Sequence, residues 1–592
     1  MRRGGWLAGV ASLCALALAS SVRFLVSAQA EELRAAPAFV EPELPPAGDD
    51  APPVAAGERS EAPASAARPA SNDVSPTALS AGGAPLRSSD AETASPPTRT
   101  DPEAVVAADL LSGATPSDIA AAIEALPEAD SGKSPIEGMP SRAATRDALE
   151  RFYLTRGDMP IFTEAKGVSA AGRAVIGRLN RAGEDGLDLS NFVLPDPNVA
   201  IERPADLAEA ELTIAEAIVA YAFQASGGRI NPARISPLIT AKAQILDAER
   251  ALETVAAAED KDAALVAFNP PQKGYRELRE KLAELRAAYP EASANLRRRP
   301  RKGPDGENKS GAALIQPNFD RAGAEAARGQ PTRVATAAVG LARLDPGLAQ
   351  ALAGRGPRAL EADLLANMEM WRWEPRNMGE ERIEVNVADF TLRLLKGDEM
   401  LHSARVVVGK PDTQTPVFSN TMRYIVINPS WSVPPSIVRK EMLPKLAEDP
   451  DYLTRMGYEV TWHGDKISVK QPPGEKNALG RLAFMFPNEH SVYLHDTPSR
   501  SLFGAARRAF SHGCVRVDQP IKLAELVMGG AWSEQRFRAL IGGAERTVFL
   551  PHPLPIHIEY FTAFVDEEGE LQLREDLYGH MRRVESALGL GS

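Results

Sequence analysis

Between Ala205 and Ala225, Leu212, Ala215, Ile218, Val219 and Ala222 recur at helical spacing, and Gly227-Gly228 followed by Pro232 stops the run. The same period predicts helices over Ala144–Leu154, with Leu149, Phe152 and Tyr153 as core positions, and over Val168–Ala182, Ala241–Ala257 and Tyr275–Tyr289. Residues 141–296 therefore read as an all-helical module, a packing scaffold without chemistry of its own. A further helix over Leu360–Trp373 leads onward, with Met368, Met370, Trp371 and Trp373 expected to pack at a domain junction. From Arg382 the period changes to two. Ile383–Val387 and Phe390–Leu394 alternate as strands around a Lys396-Gly397-Asp398 turn, and Ala404–Val408, Arg423–Ile427, Ser491–Leu494, Thr547–Leu550 and Ile556–Tyr560 add further short strands. Helical patterns at Ile437–Leu446 and Pro450–Met456 interrupt this rhythm between the Asn428–Pro435 loop and a strand-like Glu459–Val469, and read as a lid insertion over about 436–475. The pattern predicts an α+β multidomain chain. A helical scaffold precedes a mainly β, sandwich- or barrel-like domain over 359–592.

Composition changes this picture outside the folded parts. Residues 31–140 are rich in Ala, Pro, Ser, Gly and acidic residues, with Phe39 the only aromatic before Pro140. Such a segment buries too little apolar surface to offset its chain entropy, and a disordered tether is expected there, with short helices within Asp101–Leu126. Ahead of it, Arg2-Arg3, the apolar run Trp6–Ala19 and the small-x-small Ala28-Gln29-Ala30 predict an export signal over 1–30; Arg23 interrupts the apolar stretch, so the alternative is an uncleaved membrane anchor. The expected address is the bacterial periplasm or cell envelope. Arg297–Lys302 opens a polar stretch, and residues 297–358 read as a linker. The net charge of −12 speaks against a nucleic-acid partner.

Two cysteines occur, and Cys14 lies in the predicted signal, so Cys514 would stand alone in an exported chain. A lone thiol cannot form an internal disulfide and is open to oxidation. The sequence around it, Ser511-His512-Gly513-Cys514-Val515-Arg516, suggests a cysteine–histidine nucleophile. A thiol attacks as the thiolate, which requires a base. His512 is tied to the local turn, whereas His495, ending a predicted strand, could project across the cleft, and His495 is chosen as the general base. A third group should orient its ring, and a backbone carbonyl would serve. Backbone N–H groups of Gly513 and Cys514 could hold an oxyanion, and Arg516 a substrate carboxylate or a structural ion pair. The competing readings are a buried, inert cysteine and a metal site of His495, His512 and Cys514. No carboxylate–histidine helix motif supports the latter, and no metal or other cofactor is expected.

The upstream histidine, the loop and Ser-His-Gly-Cys-x-Arg resemble the active-site motif of L,D-transpeptidases with the YkuD-type catalytic domain, and the wider chain resembles the large YcbB-like subfamily with its helical scaffold. The stretches that carry the likeness include Asn367–Gly379, Val406–Phe418, Asn428–Ile437, Gln471–Asn488 and Val492–Phe503. The resemblance implies Cys514 as nucleophile and His495 as base, with Ser511, His512, Gly513 and Arg516 completing the motif. Tyr493 and Trp431 then stand at positions that line the substrate cleft or pack the core. It further implies a capping role for the insertion and a peptidoglycan-binding module near 297–358, of which this sequence shows little. The implied reaction joins peptidoglycan stem peptides 3→3 through a cysteine thioester with release of D-Ala, and implies trapping by carbapenems. Water as acceptor would make a carboxypeptidase, and an envelope-protein amine an anchoring enzyme. A non-catalytic wall scaffold is the distant alternative. A monomer is expected, with other cell-wall enzymes as conceivable partners.

Overall fold

The computed structural model describes residues 113–126, 141–290 and 345–590, apart from Ala531 and Asp465. The predicted signal, the tether as far as residue 112 and the basic run from Arg297 lie outside the described residues. The helical module is present. Its centre is the helix Pro204–Gly227, buried along nearly its whole length, around which Arg142–Leu154, Ala170–Asn180 and Ala248–Ala257 pack. Glu211, buried in that helix, accepts hydrogen bonds from the Ile161, Phe162 and Thr163 N–H groups and from the Tyr153 and Thr163 hydroxyls (2.7–2.9 Å). One carboxyl thereby satisfies a non-helical turn that would otherwise bury unpaired donors.

Two boundaries differ from expectation. The helix expected over Ala241–Ala257 starts only at Ala248. Asp247 caps it by accepting from the Arg250 N–H (3.1 Å), and the Leu246 N–H is drawn to Ser226 Oγ (3.1 Å). Part of the stretch read as tether is also folded. Pro116–Ala125 forms a helix opened by a Thr115/Asp118 capping box, and its Ile119 and Ile123 join the scaffold core. Ala114, Ala122 and Leu126 pack against the same core.

The helix Pro357–Trp371 joins the helical and β parts. On one side Arg372, wholly enclosed, pairs with Glu369 (3.1 Å) and donates to Tyr275 Oη (3.2 Å), while Glu369 accepts the Ile230 N–H (2.9 Å). On the other, Trp371 stacks on Phe561 (4.3 Å) and Asn367 Oδ1 accepts from the Thr562 and Ala563 N–H groups (2.9 and 3.1 Å). Met368, Met370, Trp371 and Trp373 are all buried, as their spacing predicts.

The β domain is a nine-stranded sheet. In chain order its strands are β1 Glu381–Asn386, β2 Thr391–Lys396, β3 Glu399–Gly409, β4 Phe418–Ile427, β5 Leu482–Met485, β6 Leu494–His495, β7 Ala509–Ser511, β8 Val515–Val517 and β9 Arg546–Glu559. The spatial order is β7-β3-β8-β6-β5-β4-β9-β1-β2, and β2 pairs back onto β3, so the sheet closes as a barrel with β7 as an extra strand. The two strands expected at Thr547–Leu550 and Ile556–Tyr560 are one, β9, whose register against β4 shifts between Phe549 and Leu554. Pro551 and Pro553 lie in that interval and lack the N–H a regular ladder needs.

Glu374, just past the junction helix, is buried with Glu559 of β9. Burial, reinforced by the charge of Glu384, pushes Glu374 up to about 8 and Glu559 well above the carboxylate range, although Arg382 and Arg393 oppose the shift of Glu559. A folded-state pKa above the unfolded one means the folded chain holds the extra proton. Its stabilising contribution is complete below about 4.5 and is lost as pH rises through about 8. Melting curves from about pH 6 to 9 are therefore expected to show a Tm that falls with pH, with Glu374→Gln flattening the slope. A wild-type slope that the variant leaves unchanged would rule out this group.

The insertion Pro435–Val469 is a compact unit of its own. It comprises Pro435–Ile437, a π-helical turn Val438–Met442, Leu443–Glu448, Tyr452–Arg455 and the strand Glu459–His463, with Ile437, Met442, Leu453 and Tyr458 buried. The expected helix Ile437–Leu446 is thus broken in type. Among the described residues no helix is long and apolar enough to cross a membrane.

Candidate active site

β6 and β8 run parallel, with Leu494 opposite Val515 and His495 opposite Arg516. The Val515 N–H donates to the Tyr493 carbonyl (3.2 Å), which extends the register one residue and sets Cys514 beside Tyr493. Side chains alternate across a strand, so Tyr493, His495, Cys514 and Arg516 share one face. The Tyr493 and His495 rings are 5.6 Å apart, as that face requires. All four are buried, His495 and Cys514 completely.

The turn before Cys514 depends on Gly513. Its φ of 129° is one that a residue with a Cβ rarely adopts, whereas the space around it would admit one. Ser511 is buried and serves the turn. Its hydroxyl donates to the Cys514 carbonyl (2.6 Å) and accepts the Gly513 N–H (3.2 Å). The Gly513 N–H, expected as an oxyanion donor, is thus held within the motif. His512 is half-buried on the same turn.

The group that orients His495 is a backbone carbonyl. His495 Nδ1 lies 2.6 Å from the Asp496 oxygen. A carbonyl only accepts, so Nδ1 carries the proton and the basic lone pair is on Nε2. Asp496 is itself immobilised. Its N–H donates to Leu482 O (2.9 Å), and its carboxylate accepts the Arg481 N–H (2.9 Å) and pairs with Arg500 (3.0 Å).

A loop completes the surroundings of the thiol. Cys514 Sγ faces the Ser491 carbonyl at 3.9 Å, and Ser491 has φ 56°, a left-handed conformation uncommon for serine. Asn488 fixes this loop, donating to Phe486 O and Val492 O (both 2.7 Å) and accepting from the His490 and Val492 N–H groups (3.0 and 3.2 Å). The scaffold touches the same loop, since Thr240 Oγ1 and His490 Nε2 are 2.9 Å apart.

The other residues expected at the site sit differently. Trp431 is fully buried in a short strand, Trp431–Ser432, paired with Gln471 and Lys470, and so packs as core rather than as open cleft wall. Tyr493 is equally enclosed. Arg516 is only 4% exposed, within the sheet between His495 and Val407, which restricts any carboxylate it holds to a group that enters that interior. Among the described residues no three His, Cys, Asp or Glu side chains converge as metal ligands. Asp496, Asn488, Thr413 and Thr415 were within reach of sequence reasoning, because they stand inside the stretches that carry the family likeness. Nothing in the sequence points to Tyr578, whose phenol accepts the Thr415 N–H (3.1 Å), while the Thr415 hydroxyl donates to the Gly513 carbonyl (2.8 Å).

Residues 380–541 match the L,D-transpeptidase catalytic domain of the YkuD family, and residues 147–282 match the family described as a scaffold domain. Two segments of the chain are thus similar to known families, one to a scaffold domain and, after it, one to the YkuD-type L,D-transpeptidase catalytic domain. A Haemophilus influenzae protein named as an L,D-transpeptidase candidate is 30% identical over 225 residues, a match that spans 35% of this chain and 45% of that one. Among solved structures, L,D-transpeptidase from Mycobacterium smegmatis is 15% identical with a TM-score of 0.16, covering 30% of this chain and 58% of its own. L,D-transpeptidase 3 from Mycobacterium tuberculosis is 13% identical with a TM-score of 0.17, covering 30% and 61%. The matched catalytic segment contains β1 to β8, Cys514 and His495. It ends before β9, so the sheet of the β domain is completed by a strand beyond the matched segment.

Proposed function

We propose that this chain is a periplasmic peptidoglycan L,D-transpeptidase that works through a Cys514 thioester. The supporting observation is the pairing of a buried His495, its Nδ1 proton held by the Asp496 carbonyl, with a Cys514 that the β6–β8 register sets on the same face. His495 Nε2 takes the Sγ proton as sulfur attacks the carbonyl between the stem's third residue and its terminal D-Ala. The tetrahedral intermediate collapses, the C–N bond breaks, and the imidazolium returns the proton to the departing D-Ala amine. An amine of a neighbouring stem then attacks the thioester and gives its proton to His495, and the thiolate leaves, closing a 3→3 cross-link. Each proton removed is replaced, and no redox step is involved. Water or an envelope-protein amine in the second step would redirect the product without altering the first.

The test is incubation of the full chain with disaccharide-tetrapeptide, following free D-Ala and intact protein mass. Release of D-Ala with a transient covalent adduct on Cys514 is expected. Neither signal from a folded chain would leave the catalytic reading without support.

A further inference from the structure

A short scaffold segment, residues 236–240, reaches the loop beside the thiol. Its backbone forms a two-bond bridge to Val417: the Val417 N–H donates to Leu238 O (2.8 Å), and the Thr240 N–H donates to Val417 O (3.0 Å). Ile239 and Val417 are both buried at this seam. Next to it, Thr240 Oγ1 and His490 Nε2 are 2.9 Å apart. The His490 ring packs on Phe418 (5.0 Å between centroids), and Glu489 Oε1 lies 3.8 Å from the same Nε2. The following residue is Ser491, whose carbonyl faces Cys514 Sγ at 3.9 Å. Ser491 holds a left-handed backbone, φ 56°, which serine keeps only where its surroundings impose it. Two sets of contacts do so. Asn488 grips the loop through its own side chain, and Thr240 holds it from the scaffold.

We propose that Thr240 and His490 are positioning residues through which the scaffold keeps the Ser491 carbonyl against the Cys514 sulfur, an inference that rests on the function proposed above. A carbonyl only accepts, so this oxygen favours the S–H over the thiolate. The contact holds the proton on the resting sulfur until the hydrogen turns to His495. It also slows adventitious modification, because a thiol attacks only as the thiolate. The scaffold, expected from the sequence to pack without chemistry of its own, thereby acts on the nucleophile.

The pH dependence of alkylation separates this role from general support. In the full chain, iodoacetamide modification of Cys514 is followed by peptide mass from about pH 5 to 10. Thr240→Val keeps the branched shape and both backbone bonds to Val417 while removing the hydroxyl. It is expected to lower the midpoint of the rate–pH curve by about 0.5 unit, making alkylation about 3-fold faster below the midpoint and leaving the plateau within about 2-fold. His490→Phe, which keeps a ring against Phe418 without the nitrogen, is expected to do the same, and Thr240→Ser to restore the wild-type curve. A site that has merely loosened admits the reagent faster by one factor at every pH, with the midpoint in place. The ionisable groups around the sulfur, His495, Tyr493 and Arg516 on its face and His512 on its turn, are the same in every variant. If Thr240→Val does not fold, His490→Phe decides the matter. A midpoint that stays or rises would overturn the positioning role and leave the transpeptidase reading intact, since D-Ala release by the wild type tests that reading separately. A folded wild type that releases no D-Ala from tetrapeptide would overturn both.

Discussion

Cys514→Ala is expected to abolish D-Ala release and the covalent adduct, a loss on the order of 10⁴-fold or more, because without sulfur no thioester can form. The chain should still fold. Cys514 is fully buried, but the exchange removes one atom, and a void of that size costs about 1 kcal/mol. Its neighbours keep their backbone bonds, since the Ser511 hydroxyl binds the Cys514 carbonyl rather than its side chain. Circular dichroism melts alongside the activity assay separate loss of chemistry from loss of structure. Residual Cys514-independent release at near wild-type rates would move the nucleophile elsewhere.

His495→Ala is expected to lower the acylation rate by roughly 10²–10⁴-fold. The base has two tasks, removing the thiol proton and later supplying one to the leaving amine. His512 sits on the turn itself, and His490 is engaged with Thr240. The second readout is the pH profile of iodoacetamide alkylation. Without His495 the profile should move towards that of an unassisted thiol, near pH 8.5. An unchanged profile would show that the backbone turn, and not the imidazole, governs the thiol.

Much of this arrangement was legible in the sequence because it depends on local pattern. The spacing along Pro204–Gly227 and the alternation in β1 and β2 reflect which face each element buries, and the helix and strands followed. His495 at the end of a strand and Cys514 behind a glycine could be matched for the same reason. The closed barrel was not fixed by pattern, since the β2–β3 pairing that shuts it depends on register between strands. The prolines of β9 read as a gap, whereas the strand continues past them through a register shift. The partner of His495 was not identified by the sequence, which allowed a backbone carbonyl among others, because it depends on the backbone direction at Asp496. Ser511 and Gly513 stand together in the motif, yet only coordinates show that they bond to each other. The Tyr578–Thr415 contact joins residues far apart in the chain, and no periodicity encodes it.

Muropeptide mass spectrometry tests the central claim most directly. Wild-type chain and Cys514→Ala would each be incubated with disaccharide-tetrapeptides and the products sequenced by fragmentation. Dimers linked 3→3 in the wild-type digest, absent from the variant, are the predicted result. The same products from both chains, or none from a folded wild type that also releases no D-Ala, would contradict the account.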